Sequence, residues 1–253
     1  MHKLENRVIL VTGASGGLGA HFATLLASHG ARVVLAARRL EALESVQAAI
    51  EQKGGRAASV QLDVVDEAST IAAYDFAEHV FGPVDSVVAN AGINNEGAAL
   101  DLIIDDFEKV MAVNVRGSFL TIREGARRMI AAGGREREHG RIVVIASIMG
   151  QVVKSGMAPY CASKAALIHM TKALAREWAR SGISINALCP GFIPTELNAE
   201  WFETEPGHRL INSWPRRRLM QASALDELVV HLSSDAARCV TGSVFTVDDG
   251  QTL

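Results

Sequence analysis

The 253-residue chain predicts an α/β doubly wound fold, and three observations carry that prediction. Short β-branched runs recur along its whole length, segments of helical period separate them, and a glycine-rich turn joins the first run to the first helical segment. The runs are nearly continuous in apolar character, as expected of strands buried on both faces of a parallel sheet.

In chain order the predicted strands are RVILVT (7–12), RVVLAA (32–37), SVQLDV (59–64), SVVANA (86–91), RIVVIAS (141–147), SINALCP (184–190) and SVFTVDD (243–249). The helical segments between them include GLGAHFATLLASHG, RLEALESVQAAIEQKGG and the long DDFEKVMAVNVRGSFLTIREGARRMIAAGG. Gly30, Gly54 and Gly133 fall where left-handed C-caps are favoured. The charged stretch GREREHG (134–140) reads as a solvated loop. From Gly191 to Ala224 the rhythm breaks, with Trp201, Phe202 and Trp214 set among prolines and charges. A long irregular segment of this kind predicts a lid or binding loop. With no repeat and no linker, residues 1–253 read as a single domain.

Composition narrows the function classes. The chain is 49% hydrophobic and 21% charged, enough for a large core in a soluble protein. A formal net charge of −3 gives no sign of a nucleic-acid surface. Cys161, Cys189 and Cys239 are far apart with no CxxC spacing, which argues against a disulfide framework or a zinc site. His21, His29, His79, His139 and His169 show no metal-ligand spacing, so no metal is expected. The apolar run VILVTG is too short for a signal sequence, and no stretch reaches membrane-spanning length. A cytoplasmic location with neither nucleic-acid nor membrane partner is the resulting expectation.

After the first strand comes TGASGGLG, with Gly13, Gly17 and Gly19 in G-x-x-x-G-x-G spacing. Glycines there let backbone approach a pyrophosphate, and the helix that follows points its free N–H groups toward it. The same glycines also suit a tight strand–helix turn. An acid that would hold a ribose 2′-hydroxyl is expected at the end of the second strand. Here that strand ends at Ala37, followed by Arg38 and Arg39. Guanidinium groups at this point favour a 2′-phosphate, hence NADP(H) over NAD(H). Two solvated arginines at a helix start are the other reading. Asp63, after the third strand, is placed for an adenine edge.

In YCASK, Tyr160 and Lys164 are four residues apart and share one helix face. They make either an acid/base pair or an ordinary helix face. Ser147 ends the fifth predicted strand on the carboxyl edge of the sheet, where such folds bind ligands. TGASGGLG, Asp63–Val64, NAG (Asn90, Ala91, Gly92), NVRG from Asn114 within a long helix, Ser147, YCASK and PGFIPT from Pro190 follow one another. This set resembles the short-chain dehydrogenases/reductases, from Leu4 to Gly250.

The resemblance implies a Rossmann-like sheet of seven parallel strands in order 3-2-1-4-5-6-7. It also implies hydride transfer between a nicotinamide and a carbonyl or alcohol. Tyr160 is then the general acid/base, and Lys164 lowers its pKa and holds the nicotinamide ribose. Ser147 positions the substrate oxygen, and Asn114 supports a water linking Lys164 to solvent. Ser15 and Leu18 belong to the phosphate loop with the glycines, and Val64 and Asn90 to Gly92 line the adenosine side. Pro190, Gly191, Ile193 and Thr195 flank the nicotinamide, and the family's habit is a homotetramer. A free phenol titrates near ~10, so a neighbouring ammonium and the positive charge of the oxidised nicotinamide would together make it a better base at neutral pH.

Ile148, Met157, Phe192, Trp201, Phe202 and Trp214 imply a bulky, mostly apolar ketone or secondary alcohol as substrate. Two other functions remain open. One is a 3-oxoacyl thioester reductase whose Arg123, Arg127 and Arg128 dock an acidic carrier. The other is a nucleotide-binding regulator on the same fold. The chain also departs from the family. VDDGQTL places Asp249 where a glycine is usual, and a longer link PRRRLMQASALDEL leaves Arg216 to Arg218 near the substrate mouth. Those arginines read as a basic solvated turn or as attraction for an acidic substrate.

Overall fold

A computed structural model describes residues 3–195 and 198–253. The strands are β1 (Val8–Thr12), β2 (Arg32–Ala37), β3 (Arg56–Gln61), β4 (Ser86–Ala89), β5 (Gly140–Ile145), β6 (Ile183–Pro190) and β7 (Val244–Val247). All pair in parallel in the order β3-β2-β1-β4-β5-β6-β7, as the resemblance implies. The main helices are α1 (Gly17–Ser28), α2 (Leu40–Gln52), α3 (Glu67–Phe81), α4 (Ile104–Met111) and α5 (Ser118–Ala131). They continue with α6 (Gly134–Arg137), α7 (Ala158–Trp178), α8 (Ala199–Phe202), α9 (Glu205–Ser213) and α10 (Asp226–Leu232). Among the described residues no helix is long and apolar enough to cross a membrane.

Strand periodicity divides the core into two layers. Ile9, Val11, Val33, Leu35 and Val143 face one layer, where they meet Phe22 and Leu26 of α1, Leu43 of α2 and Val229 of α10. Val8, Leu10, Val34, Ile142 and Val144 face the other, with Tyr74 of α3, Ile122 of α5 and Leu167 of α7. The inner strands are buried on both faces, which is why their sequences lack the polar alternation of a one-sided sheet. The edge strands β3 and β7 are partly exposed.

Strand boundaries differ from expectation at both edges and also at β4 and β5. The third strand runs over 56–61 rather than 59–64, because β2 pairs with Arg56 through Gln61. Leu62 and Val64 are apolar because they are buried beneath helices beyond the ladder. Strand β5 ends at Ile145, so Ser147 stands just beyond it and caps a short turn, Ile148–Gly150. Strand β4 ends at Ala89, before Asn90 and Ala91, and β7 spans 244–247. The stretch 134–140 is not simply a solvated loop. It contains the helical turn α6, and its His139 meets Asp235 at 2.8 Å.

Two glycines let α5 press against its neighbours. A Cβ on Gly117 would lie 2.7 Å from the Val64 side chain, and one on Gly125 would lie 2.6 Å from the Tyr74 hydroxyl. Tyr74 is fully buried and donates its hydroxyl to the Thr121 carbonyl at 2.8 Å, tying α3 to α5. Tyr74→Phe keeps the ring and deletes that bond. It should lower folding stability by about 1 kcal/mol, read from the urea midpoint at an unchanged slope. No change in the midpoint would mean that this bond adds nothing to the α3–α5 contact.

Candidate active site

The strand order reverses between β1 and β4, and the carboxyl ends of these strands open a crevice. Thr12 closes its floor. Its Oγ1 accepts the N–H groups of Asn90 and Ala91, both at 3.0 Å, and Asn90 Nδ2 donates to the Thr12 carbonyl at 3.0 Å. The glycine loop is folded tightly over this floor. A Cβ on Gly19 would sit 2.1 Å from the Gly13 carbonyl, so no side chain fits there. Gly17, the first residue of α1, faces open space, and α1 has no side-chain cap for its first N–H groups. A cradle of bare backbone donors at a helix start fits a pyrophosphate. Leu18 instead packs against the apolar core.

The two arginines after β2 differ in placement. Arg39 Nη2 donates to Ser15 Oγ at 3.3 Å, so its guanidinium lies on the glycine loop. Arg38 is exposed, and its carbonyl accepts a bond from Gln61. Asp63 Oδ1 accepts the Val65 N–H at 3.2 Å, while Val64 is buried against Gly117.

Asn114 lies between α4 and α5, but not in an ordinary helical turn. Residues Ala112–Gly117 form a π-helical turn, a widening that marks many functional sites. Asn114 is fully buried. Its Oδ1 accepts the Ile93 N–H at 2.8 Å, and its Nδ2 donates to the Ile93 carbonyl and to Ser163 Oγ, both at 2.9 Å. The loop after β4 is thereby fastened to α7. A Cβ on Gly92 would lie 3.3 Å from Asn114 Oδ1 and 3.5 Å from Lys164 Nζ, so the two polar groups converge on this glycine.

On α7, Lys164 Nζ lies 5.5 Å from the centre of the Tyr160 ring, on the face that the four-residue spacing predicts. The lysine is buried and donates to the Ile145 carbonyl at 2.9 Å. Burial pulls its pKa down to about 8. Cys189 is buried nearby, and its thiol is pushed up to about 11. Ser147 Oγ accepts the Met149 N–H at 3.1 Å. At Tyr160 burial is the larger influence. Desolvation carries its pKa above the ordinary value, and a hydrogen bond from Ser147 opposes that only in part. The physical reason is that burial penalises a phenolate by more than the Ser147 hydrogen bond favours it.

The far wall begins at Gly191, whose N–H donates to Val247 at 2.9 Å. Gln251, which the sequence reading had not singled out, grips Phe192 on both sides. Its Oε1 accepts the Phe192 N–H at 2.6 Å, and its Nε2 donates to the Phe192 carbonyl at 3.3 Å. Asn198 does the same service for the next residues, accepting from Thr195 N–H at 2.6 Å and donating to the Ile193 carbonyl at 3.1 Å.

Ile148, Met149 and Met157 form an apolar cluster against Tyr160 and Phe192. Phe192 stacks on Trp214 at 5.4 Å and meets the edge of Phe202 at 5.9 Å. Phe202 and Trp214 are buried inside the loop, so they shape the wall mainly by supporting Phe192. Arg216 and Arg218 both bind Asp249, at 3.0 and 2.7 Å. Arg123 pairs with Glu67, and Arg128 bonds Glu124, Asp75 and Glu78, so the basic row on α5 is met by carboxylates of its own chain.

The family model described as short chain dehydrogenase matches residues 7–206. Gluconate 5-dehydrogenase of Gluconobacter oxydans is 36% identical, with 100% of this chain and 97% of the relative covered. Cis-4-hydroxycyclohexanecarboxylate dehydrogenase of Sinomonas cyclohexanicum is 37% identical, with 97% and 96% covered. The crystal structure of a gluconate 5-dehydrogenase from Burkholderia cenocepacia in complex with NADP and tartrate superposes with a TM-score of 0.92. It is 33% identical and is covered over 97% of its length by 99% of this chain.

The buried Lys164 has a thermodynamic signature. Between its folded pKa of about 8 and the ordinary 10.5, the unfolded chain binds more protons than the folded one. Stability therefore rises with pH across that window, as the cost of burying the ammonium is relieved. Lys164→Met removes this titration. The melting-temperature gain of the mutant over wild type should fall between pH 7 and pH 10, by the equivalent of about 3 kcal/mol at most. A gap independent of pH would show that the buried lysine titrates as it does in water.

Proposed function

Since the chain belongs to the short-chain dehydrogenase family, we propose that it is an NADP(H)-dependent oxidoreductase interconverting a ketone and a secondary alcohol. The convergence of Asn114 and Lys164 beneath Gly92, beside Tyr160 and Ser147, carries this reading. The nicotinamide would supply or accept the hydride. In reduction, Tyr160 gives its phenolic proton to the substrate oxygen, and in oxidation it takes one back. Ser147 directs its hydroxyl at the same oxygen, where negative charge develops. Lys164 restrains the phenol from α7 and offers its ammonium to the nicotinamide ribose. Asn114 keeps the loop after β4 and the N-terminal part of α7 in fixed relation.

Cofactor preference rests on the residues after β2. Ala37 leaves no carboxylate at the strand end, and Arg39 lies on Ser15 beside the glycine loop, with Arg38 adjacent. A 2′-phosphate suits that arrangement better than a 2′-hydroxyl. The Burkholderia relative bound to NADP supports the same choice.

The apolar cluster of Ile148, Met149, Met157 and Phe192 supports a substrate with an apolar body. Among the relatives is an enzyme named for a cyclic secondary alcohol bearing a carboxylate. The thioester reading draws less support, because the arginines of α5 pair with acids of their own chain. Assembly into a homotetramer is part of the proposal. Leu100, Ile103, Ile104 and Phe107 are exposed around α4 and offer apolar surface for a second copy.

Purified protein should oxidise NADPH faster than NADH when offered cyclic ketones. Tyr160→Phe should lose at least about 100-fold in kcat while its cofactor affinity stays within a small factor. Equal turnover in that variant would overturn the mechanism. Combining A37D with R39L should shift the NADPH-to-NADH preference by about tenfold or more toward NADH. An unmoved preference would place cofactor choice elsewhere.

A further inference from the structure

Between Ser147 and Tyr160 the sequence IMGQVVKSGMAP contains a single charged residue, Lys154. It stands on a tight turn, where the Met157 N–H donates to the Lys154 carbonyl at 3.2 Å. The Gly97 N–H donates to the Gly156 carbonyl at 2.9 Å, which fastens this turn to the loop after β4. The Lys154 ammonium belongs to a half-buried residue. It rests 4.1 Å from the centre of the Trp201 ring, across on α8.

A continuous line of contacts leads from that ring to the acid/base pair. Trp201 meets the edge of Phe202 at 5.1 Å, Phe202 meets Phe192 at 5.9 Å, and Phe192 packs with Ile148, Met149 and Met157 beside Tyr160. Lys154 thus bridges the two walls of the cleft, one positive charge at the rim of an apolar surface. Three arginines of the substrate loop are engaged with carboxylates. Arg216 and Arg218 are held by Asp249, and Arg209 is paired with Glu205 at 3.0 Å. An aromatic face is a weaker partner for an ammonium than a carboxylate that accepts its hydrogen bonds.

We propose that Lys154 is a specificity-determining residue that selects a substrate with a carboxylate at the end opposite its reacting carbonyl or carbinol. The proposal rests on the alcohol/ketone reading above and names the substrate class of the same site. A single ammonium between apolar walls suits a monoanion with an apolar spacer. A phosphate dianion would call for a second basic group. When such a substrate binds, the ammonium exchanges the Trp201 face for the carboxylate, and the apolar spacer lies along Phe192 and Met157.

The test pairs 4-oxocyclohexanecarboxylate with its methyl ester, which keeps the shape and removes the charge. In Lys154→Met the acid-to-ester ratio of kcat/KM should fall at least tenfold, mainly through KM for the acid. Lys154→Arg should recover most of it, which a purely structural role for the side chain would not produce. Calorimetric titration with cyclohexanecarboxylate, with NADP or NAD present in turn, reads the same contact without turnover. Wild type should bind the acid at least tenfold more tightly than K154M. An unchanged ratio in K154M, or equal binding of the acid by the two proteins, overturns the assignment of Lys154. Absence of turnover by wild type with every ketone and both cofactors overturns the function proposed above, and the titration still decides the role of Lys154.

Discussion

The site depends on one buried amide. Asn114 bonds both the N–H and the carbonyl of Ile93, as a neighbouring strand would, and spends its remaining donor on Ser163. An unpaired polar group at this depth would be costly, so the side chain fixes the backbone that satisfies it. The loop after β4, the α4–α5 junction and α7 are joined through this residue. It can occupy that point because the helix widens into a π turn between Ala112 and Gly117. The small Gly117 lets the widened turn approach Val64 closely. The proposed cofactor side and the proposed acid/base side of the crevice therefore share a common anchor.

Charge is handled differently on the two sides of that anchor. At the glycine loop, bare N–H groups and exposed arginines lie in reach of water, where an incoming anion meets little desolvation cost of their own. At Lys164 and Tyr160, burial works against both charged forms, lowering the ammonium's pKa and raising the phenol's. The protein alone thus favours a neutral tyrosine, the form that can donate a proton. Accepting one asks for added positive charge beside the phenol, and the oxidised nicotinamide carries such a charge.

Much of this was legible in the sequence. Double-sided burial of the inner strands produced the apolar runs, and the four-residue spacing of Tyr160 and Lys164 placed them on one helix face. Features that depend on tertiary contacts were not legible. Nothing in AVNVRG distinguishes a π turn from an α turn, and the widening shows only in the fold. The apolar letters of Leu62 and Val64 reflect packing under helices, so the run extended past the true end of β3. Of two adjacent arginines, only the fold shows that Arg39 meets Ser15. The direction of the Tyr160 shift is set by burial against the Ser147 hydrogen bond, and spacing does not carry that information.

The departure at Asp249 and the basic run at Arg216 to Arg218 looked unrelated in sequence, yet the structure makes them one feature. Asp249 takes a left-handed conformation, φ 53°, which aspartate tolerates better than most side chains. From there it accepts bonds from Arg216 and Arg218. Gln251, two residues on, holds Phe192 at the other end of the substrate loop. A single C-terminal turn therefore secures both ends of that loop, and the Met220 N–H closes the circuit by donating to the Phe192 carbonyl at 3.1 Å. A glycine at 249 would leave two guanidinium groups without this carboxylate partner. With aspartate there, Arg216 and Arg218 are tied into the scaffold, and the cation that spans the two walls is Lys154.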